Sequence, residues 1–428
     1  MTPLSWSDLD VEARAAALAR PPARRSPELV AGVTAILEEV RSGGWNALCR
    51  IAERIDGRAP EAVAIAPLAT AARASLPADA VAAMELAADN IRRFHDASRP
   101  ADTRVETMPG LVVEKVWRPL DRVGLYVPGG ATPLFSTLLM LALPARAAGV
   151  REIVVVTPPS PGGLDPAIAL AAELCGIDSI WTVGGAQAIA ALAFGAGDIP
   201  PCPKICGPGN AWVAEAKTQA SALPGGPAID MPAGPSELMV IADRNASPVM
   251  VAADLLSQAE HDASAQVLLV SDTTEIASAA LAEVERQVAE LPRADLARRS
   301  LDHGRAIVVR DLAEAASVAN IYAPEHLCLA VDDPEPLIAA INNAGAIFAG
   351  HAAAESFGDY LAGSSHVLPT DGAARAWSGI TVHSFMKAIS IQRVSESAGQ
   401  ALAAPAAALA RLESLEAHAR AAEARAAA

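Results

Sequence analysis

The sequence has 428 residues, of which 52% are hydrophobic and 19% charged. It therefore contains enough apolar material for a large core and is not mainly disordered. At about 150 residues per domain, this length predicts two or three domains. The net charge of -16 disfavours nucleic-acid binding and an anionic membrane surface, because an acidic surface repels phosphate groups.

Neither export nor membrane insertion is expected. The first residues carry acids and no apolar signal core, and apolar runs such as 138–142 are far shorter than the roughly 20 residues of a membrane span. The five cysteines are sparse and odd in number, which suits a reducing cytoplasm rather than a disulfide framework. Cys202 and Cys206 have no matching pair elsewhere, so a structural zinc site on cysteine is not expected.

The N-terminal region is predicted to be mainly helical. A short helix over 9–20 ends at Pro21-Pro22, and alanine-rich helical patterns follow from 27 to about 95. Residues 104–117 have a Val-rich alternation that predicts extended chain.

From residue 123 onward, short apolar runs alternate with helical patterns. The predicted strands of the first series are 123–127, 153–156, 180–183 and 204–206, and its helices are 134–148, 186–194 and 210–221. After a Gly- and Pro-rich stretch, a second series has predicted strands 238–241, 266–270, 306–309, 327–331 and 346–348, with helices 248–260, 275–290, 312–320 and 336–343. This repetition predicts two consecutive α/β units with parallel sheets, followed by a helical tail from about residue 391.

Three glycine-rich turns follow strands of the first series: Pro128-Gly129-Gly130, Gly184-Gly185 and Gly207-Pro208-Gly209-Asn210. Such turns let a ligand approach the backbone, and the helix that follows offers free N–H groups to an anion. None matches GxGxxG or a Walker A sequence, and each alone is more often a simple connection. Together they favour a mononucleotide or dinucleotide crevice.

Few polar residues have the chemistry of a metal or catalytic site. Gln258 and His261 share one face at the end of a predicted helix, and His261, Asp359 and His418 offer the N and O atoms that zinc accepts. These residues are far apart in the sequence, however. The alternative is that the histidines cap helix ends and that Asp359 caps a turn. Glu325-His326 is the best general-base candidate, because histidine titrates near neutrality; a polar element boundary is the alternative.

Several long runs together resemble the histidinol dehydrogenase family, in order and over nearly the whole chain. They include VGLYVPGGATPLFSTLLMLALPA, ICGPGNAWVAEAK, AIDMPAGPSELMVIAD, ADLLSQAEHD, YAPEHL, GDYLAGSSHVLPT and the terminal ESLEAH. Enzymes of this family oxidise L-histidinol to L-histidine in two NAD-dependent steps through an aldehyde, so the resemblance implies a cytoplasmic zinc enzyme of histidine biosynthesis.

The resemblance also implies roles for individual residues. His326 would be the base that takes the alcohol proton, and Glu325 would activate the water that hydrates the aldehyde. The implied zinc ligands are Gln258, His261, Asp359 and His418, the last from the partner subunit of a domain-swapped homodimer. The implied substrate contacts are Ser236, His366 and Glu413, together with His326 and the four zinc ligands. NAD would lie along Tyr126, Gln187 and Asn210.

The implied fold is two Rossmann-like, doubly wound α/β units with parallel sheets, an N-terminal helical arm and a C-terminal helical tail. The expected boundaries are 1–22 for the arm, 127–236 for the nucleotide-binding unit and 379–428 for a tail that reaches the partner subunit. The unit that carries zinc and the catalytic residues would be discontinuous, with residues 23–126 and 237–378. Phe357 and the stretch 377–383 depart from the pattern associated with the family, and neither removes a proposed ligand or base.

Three rival functions share part of this residue set. A related dehydrogenase for another small alcohol would share zinc, NAD and the base. A non-catalytic zinc- or nucleotide-binding protein would not need Glu325-His326, and a zinc hydrolase would not need the glycine-rich loops.

Overall fold

A computed structural model describes residues 1–21, 26–129, 133–232 and 234–426. Pro22, at the expected end of the arm, and Gly130, in the first glycine-rich turn, lie outside the described residues.

Strands and helices alternate through most of the described chain. The strands are β1 (Pro3–Ser5), β2 (Ala62–Ala64), β3 (Thr103–Met108), β4 (Leu111–Pro119), β5 (Arg122–Tyr126), β6 (Glu152–Thr157), β7 (Ser179–Thr182), β8 (Lys204–Cys206), β9 (Ala228–Ile229), β10 (Glu237–Ala242), β11 (Gln266–Ser271), β12 (Arg305–Val308), β13 (His326–Ala330), β14 (Ala346–Ala349) and β15 (Met386–Val394). The helices are α1 (Val11–Ala17), α2 (Pro27–Ile55), α3 (Ile65–Ser75), α4 (Ala78–Ala97), α5 (Phe135–Ala148), α6 (Pro166–Leu174), α7 (Gly185–Phe194), α8 (Ala211–Ala222), α9 (Pro248–Ala259), α10 (Thr274–Val288), α11 (Ala294–Leu301), α12 (Leu312–Tyr322), α13 (Glu335–Ala340), α14 (Glu355–Tyr360), α15 (Glu396–Leu412) and α16 (Glu416–Glu423).

The first sheet has the strand order β2-β7-β6-β5-β8-β9, and only its edge strand β2 is antiparallel to its neighbour. Its central strands are continuous apolar runs, as expected where helices cover both faces. Helices α3 to α6 pack on one face, and α2, α7 and α8 pack on the other.

The second sheet is parallel throughout, with the order β1-β12-β11-β10-β13-β14. Strands β10 and β11 are buried along their whole length. Helices α9, α10 and α11 cover one face, while α12, α13 and the N-terminal arm cover the other.

A smaller antiparallel sheet, in the order β15-β4-β3, joins the C-terminal region to the chain that precedes β5. The tail then folds back as α15 and α16, which pack against each other. Among the described residues, no helix combines the length and the apolar character needed to cross a bilayer.

The predicted pair of parallel-sheet α/β units is confirmed, but the sheets differ from the expected grouping of residues 23–126 and from a helical arm. Strand β5 lies at the centre of the first sheet, and α2 covers that sheet. The elements within 27–126 that pack on or pair in a large sheet therefore belong to the first unit, and not to the unit formed by 237–378. The arm is not purely helical, because Pro3–Ser5 pairs with β12 and extends the second sheet. Periodicity, which predicts two consecutive units, therefore gives the better division. Strand β15 was not predicted from the sequence.

Candidate active site

Residues from several elements converge at the amino edge of the second sheet, where β10 and β13 begin side by side with Leu238 opposite His326. Ser236 directly precedes β10 and is half-buried, while Glu325 directly precedes β13 and is buried. Helix α9 runs antiparallel to the strands and returns to this edge, where it ends after Gln258. The predicted catalytic and metal-binding residues of this unit thus come together through the topology of one sheet.

His326 is the centre of this group. The residue is 4% exposed, and its Nδ1 atom lies 3.1 Å from the carbonyl oxygen of Glu237. Because a carbonyl oxygen only accepts, Nδ1 carries the hydrogen, and in the neutral ring the lone pair is on Nε2. Nε2 has no hydrogen-bond partner among the described residues and lies 3.5 Å from Oδ1 of Asp359. Nε2 is therefore the atom available to take a proton from a ligand.

Glu325 is held beside this ring. Its Oε2 atom accepts a hydrogen bond from the backbone N–H of Glu237 at 2.8 Å and lies 3.5 Å from Nδ1 of His326. Burial raises the pKa of the Glu325 carboxyl above its usual value, and the nearby imidazole opposes part of this effect. Carboxyl groups tuned in this way are typical of acid–base sites.

A further carboxylate, Glu355, belongs to the same cluster and was not identified from the sequence. Its Oε1 lies 3.7 Å from Nδ1 of His326, and its Oε2 accepts a hydrogen bond from Ser257 at 2.8 Å. Burial raises its pKa to about 8. The sequence feature that could have identified Glu355 is its position four residues before Asp359, because residues with this spacing lie on the same face of a helix.

The cluster combines three carboxyl groups with one buried imidazole. Burial alone would lower the pKa of His326, but Glu325, Asp359 and Glu355 outweigh it and raise that pKa well above its usual value. For Asp359, burial would raise the pKa, and the interaction with His326 reverses this and lowers it. Three carboxylates around one imidazole form an environment that favours a bound cation.

The buried oxygen atoms of this region test whether a metal ion fits. Oε1 of Gln258, Oδ1 of Asp359 and Oε1 of Glu355 are buried without a hydrogen-bond partner among the described residues. Leaving such atoms unpaired in the interior costs about 1–3 kcal/mol each, so their lack of partners requires an explanation. The residue set contains neutral oxygen, carboxylate and imidazole donors, which fits zinc or a similar divalent ion.

His261 completes this side of the site, just beyond α9. Its backbone N–H donates to the carbonyl of Gln258 at 3.2 Å. The residue is exposed at the edge of the site, and partial desolvation of its imidazole lowers the pKa, while Asp359 is close enough to counter part of that change. A ring that stays neutral near pH 7 is the form that ligates a metal.

His366 links the site to the first unit. Its Nε2 lies 3.0 Å from Oγ1 of Thr137 on α5, and its Nδ1 lies 3.1 Å from the backbone oxygen of Asp359. Burial lowers the pKa of this imidazole. The candidate substrate residue therefore lies where the two units meet, beside a candidate metal ligand. Phe357, on the same helix as Asp359, is exposed.

Glu413 and His418 are not brought to this site within one chain. Glu413 caps the end of α15, and both side chains are exposed on the α15–α16 hairpin. Neither makes a hydrogen bond or ion pair with Gln258, His261 or Asp359 in the described part of the chain. Their contribution to a partner subunit remains a prediction.

The three candidate nucleotide residues line the carboxyl edge of the first sheet. The Tyr126 hydroxyl accepts from the N–H of Gly185 at 3.3 Å, and burial raises its pKa to about 12. The Gln187 amide donates to Asp56 at 3.0 Å. Asn210 caps α8, with Oδ1 accepting from the N–H groups of Trp212 and Val213. Tyr126 thus contacts the turn at Gly185 directly, and Gln187 shares Asp56 with the N–H of Gly184. A role of the three residues in contacting a nucleotide stays a prediction.

Comparisons with known proteins agree over the whole chain. The profile of the family described as Histidinol dehydrogenase matches residues 19–426. A histidinol dehydrogenase of Xylella fastidiosa is 49% identical over 421 residues, covering 98% of this chain and 97% of the relative. One from Salmonella typhimurium is 44% identical over 418 residues, with 97% and 96% coverage.

A solved structure gives the same result for the fold. The crystal structure of histidinol dehydrogenase from Elizabethkingia anophelis superposes with a TM-score of 0.95 at 38% identity, covering 99% of this chain and 98% of that one. With the profile match and the close relatives, this establishes that the chain belongs to the histidinol dehydrogenase family.

Proposed function

We propose that this protein oxidises L-histidinol to L-histidine through L-histidinal, with zinc and NAD, in two successive hydride transfers. Membership of an oxidoreductase family of histidine biosynthesis supports this reaction. The observation that carries the mechanism is the buried His326 ring, with Nδ1 engaged by a carbonyl and Nε2 free beside Asp359.

The metal would be held by Gln258, His261 and Asp359 together with His418 of the partner subunit. The unpaired buried oxygens of Gln258 and Asp359 and the carboxyl groups around His326 support this assignment. When bound, zinc would supply positive charge and a fixed geometry for the imidazole and amino nitrogens of histidinol. One ion per subunit would follow from this ligand set.

The chain's own residues would handle the protons. A cation held by Asp359 would offset the negative charge that raises the pKa of His326 and would favour the neutral ring. In the first oxidation, Nε2 of this neutral ring takes the hydroxyl proton as the carbinol carbon loses a hydride to bound NAD, which leaves the aldehyde. Glu325 then directs a water molecule to the aldehyde carbon and accepts one of its protons, while the proton held by His326 passes to the carbonyl oxygen, which gives the hydrated aldehyde. After NADH has been exchanged for a second NAD, the diol loses a hydride to that NAD and a hydroxyl proton to His326, which gives the acid.

Glu325 is suited to the hydration step because only one of its oxygens is used by the backbone of Glu237. We assign the other oxygen, Oε1, to the water. The raised pKa of the Glu325 carboxyl makes its ionised form a stronger base near neutral pH.

The substrate would extend from the metal toward the first unit. Ser236 and His366 border this path, and the partner subunit's Glu413 would pair with the substrate ammonium group. NAD would approach along the turns that Tyr126, Gln187 and Asn210 stabilise, with helix N-termini facing its phosphates. A homodimer in which the C-terminal tails exchange would bring these parts together.

The test is NADH formation by the purified protein with L-histidinol, before and after chelation and with zinc added back. Two NADH per histidinol, lost on chelation and restored by zinc, are expected. If NADH forms only with another alcohol, that alcohol rather than histidinol is the substrate. If no alcohol gives NADH, the protein is a binding protein rather than a dehydrogenase. Activity that persists after complete metal removal would contradict the zinc requirement.

A further inference from the structure

We propose that Arg20, at the end of the N-terminal arm, is a positioning residue for Glu325 and His326 and acts through Glu237. This inference rests on the proposed function for its kinetic readout and on the fold for its structural readout.

Arg20 and Glu237 form a two-pronged ion pair at the amino edge of the second sheet. Nε of Arg20 donates to Oε1 of Glu237 at 2.5 Å, and Nη2 donates to Oε2 at 2.9 Å. The Glu237 side chain is 3% exposed, so this carboxylate depends on its partner for charge compensation. The backbone N–H of Asp371 adds a further bond to Oε1 at 2.8 Å.

The guanidinium group of Arg20 is itself fixed by α12. It lies 4.0 Å from the ring centre of Tyr322 and donates to the Tyr322 carbonyl at 2.8 Å. The preceding residue is anchored as well, because Gln266 donates to the carbonyl of Ala19 at 2.9 Å and accepts from the Tyr322 hydroxyl at 2.8 Å. The arm is therefore locked to the sheet at two consecutive residues.

The backbone of Glu237 holds both members of the proposed catalytic pair. Its N–H donates to Oε2 of Glu325, and its carbonyl accepts from Nδ1 of His326. One residue thus fixes the water-directing carboxylate and the imidazole, while its side chain is fixed by Arg20. These contacts form a continuous path from the arm to the reacting groups.

Loss of Arg20 would leave the Glu237 carboxylate buried without a counterion among the described residues. The side chain would then have to take up a proton or turn toward solvent, because an unpaired buried charge is strongly disfavoured. Either response would shift the first residue of β10, and with it both bonds to the pair. A displacement of about 1 Å at a distance from the chemistry can reduce a rate about 10²-fold.

The kinetic test compares Arg20→Met with Arg20→Lys and with Arg14→Met in the holoenzyme. Arg14 is a matched control in the same arm, since it contacts Trp6 and does not reach Glu237. We expect Arg20→Met to lower kcat about 10- to 100-fold with little change in KM for histidinol or in zinc content. Arg20→Lys should recover part of the loss, and Arg14→Met should match the wild type.

A second comparison separates positioning from general damage. Arg20→Met is introduced into a protein that already carries Glu325→Gln and His326→Asn, and the residual rate is followed over long times. If Arg20 acts through this pair, its loss should change that rate less than about 2-fold, because coupled residues are not additive. A further 10- to 100-fold loss would overturn the proposal.

Nitrogen-15 NMR of the histidine side chains gives a readout that does not need a substrate. In the wild type and Arg14→Met, His326 should show a hydrogen on Nδ1, and in Arg20→Met this signal should shift or become a mixture of tautomers. An unchanged His326 signal in Arg20→Met would refute the positioning role whatever the substrate is. Failure of the wild type to oxidise histidinol would instead count against the proposed function alone.

Discussion

The Nδ1 atom of His326 lies 3.1 Å from the carbonyl oxygen of Glu237, across the adjacent strands β10 and β13. This contact selects the tautomer with its free lone pair on Nε2, on the side of the ring that faces Asp359. A backbone contact of this kind is set by strand register, so the fold itself orients the proposed base.

Replacement of His326 by asparagine should slow turnover by roughly 10² to 10⁴ because the group that takes the hydroxyl proton is lost. Zinc should remain bound, since His326 is not among the proposed ligands. Steady-state NADH formation and metal content by mass spectrometry measure the two effects. His303→Asn is the control variant, and unchanged turnover in His326→Asn would show that the base is misassigned.

Glu325→Gln should impair the oxidation of histidinal more than the oxidation of histidinol. The amide keeps the size and one hydrogen-bond acceptor for the Glu237 N–H, but it cannot take a proton from water. The two half-reactions are measured separately, with histidinol and with histidinal as the starting compound. An equal loss in both would exclude the proposed division of labour between Glu325 and His326.

Most of the βα alternation was predictable from the sequence, because buried parallel strands are continuous apolar runs and the helices carry their own end signals. Strand β15 was missed: most of its side chains are exposed, and its pairing partner β4 is far away in the chain. The unit boundary was also assigned wrongly, since the position of β5 at the centre of the first sheet depends on pairing with β6 and β8.

The location of the candidate site was less predictable than its residues. In open parallel sheets, ligands usually bind at the carboxyl ends of the strands. Here Glu237 and His326 are the first residues of their strands, so the catalytic cluster lies at the opposite edge. Glu355 was missed because a single acidic residue in a short helix forms no recognisable motif. Its relevance follows only from the structure, in which Asp359 on the same helix lies beside His326.

Gly207→Ala should weaken NAD binding and lower the stability of the first unit. Gly207 has a φ of +130°, and an added Cβ would overlap the backbone oxygen of Tyr126. Its N–H and carbonyl are also held by Asp230 and Lys217, at 2.7 Å and 2.9 Å, so the turn cannot relax easily. We expect a cost of about 1–3 kcal/mol in the free energy of unfolding and at least a 10-fold rise in KM for NAD.

The matched control for this prediction is Gly162→Ala. An added Cβ there meets nothing within 4 Å and the backbone is not in the left-handed region, so its stability and KM should match the wild type. The free energy of unfolding is measured by urea titration and KM for NAD by initial rates. If both values for Gly207→Ala equal those of the wild type, this turn is not part of the nucleotide site.

His95 should make the protein less stable as the pH falls. Its ring is buried, both nitrogens are without a hydrogen-bond partner among the described residues, and burial lowers its pKa to about 4. In the unfolded chain its pKa is near 6.5, so between about pH 6.5 and pH 4 the unfolded state binds more protons and stability falls as pH falls.

From pH 7 to pH 5 this residue should contribute a loss of about 1–2 kcal/mol. Urea midpoints of the wild type and His95→Met at the two pH values measure it, because the variant should lose less stability than the wild type over this interval. Parallel losses in both proteins would mean that His95 is protonated equally in the folded and unfolded states.

The proposed exchange of C-terminal tails predicts that two inactive variants will restore each other's activity. His261→Asn removes a ligand from the chain that holds the cluster, and His418→Asn removes the ligand that we assign to the partner's site. In a mixed dimer, one site has both defects, and the other has an intact His261 with an intact partner's His418. After random exchange of equal amounts, half of the dimers are mixed, so activity should reach about a quarter of the wild-type value.

The measurement is NADH formation after the two variants are mixed, partly unfolded and refolded together with zinc. Each variant refolded alone is the control for slow recovery of activity, and size-exclusion chromatography confirms that dimers have formed. If His418 served its own chain instead, every site in the mixture would lack one ligand and no activity would appear. That outcome would require the exposed α15–α16 hairpin to fold back onto the site of the same subunit, where this structure does not place it.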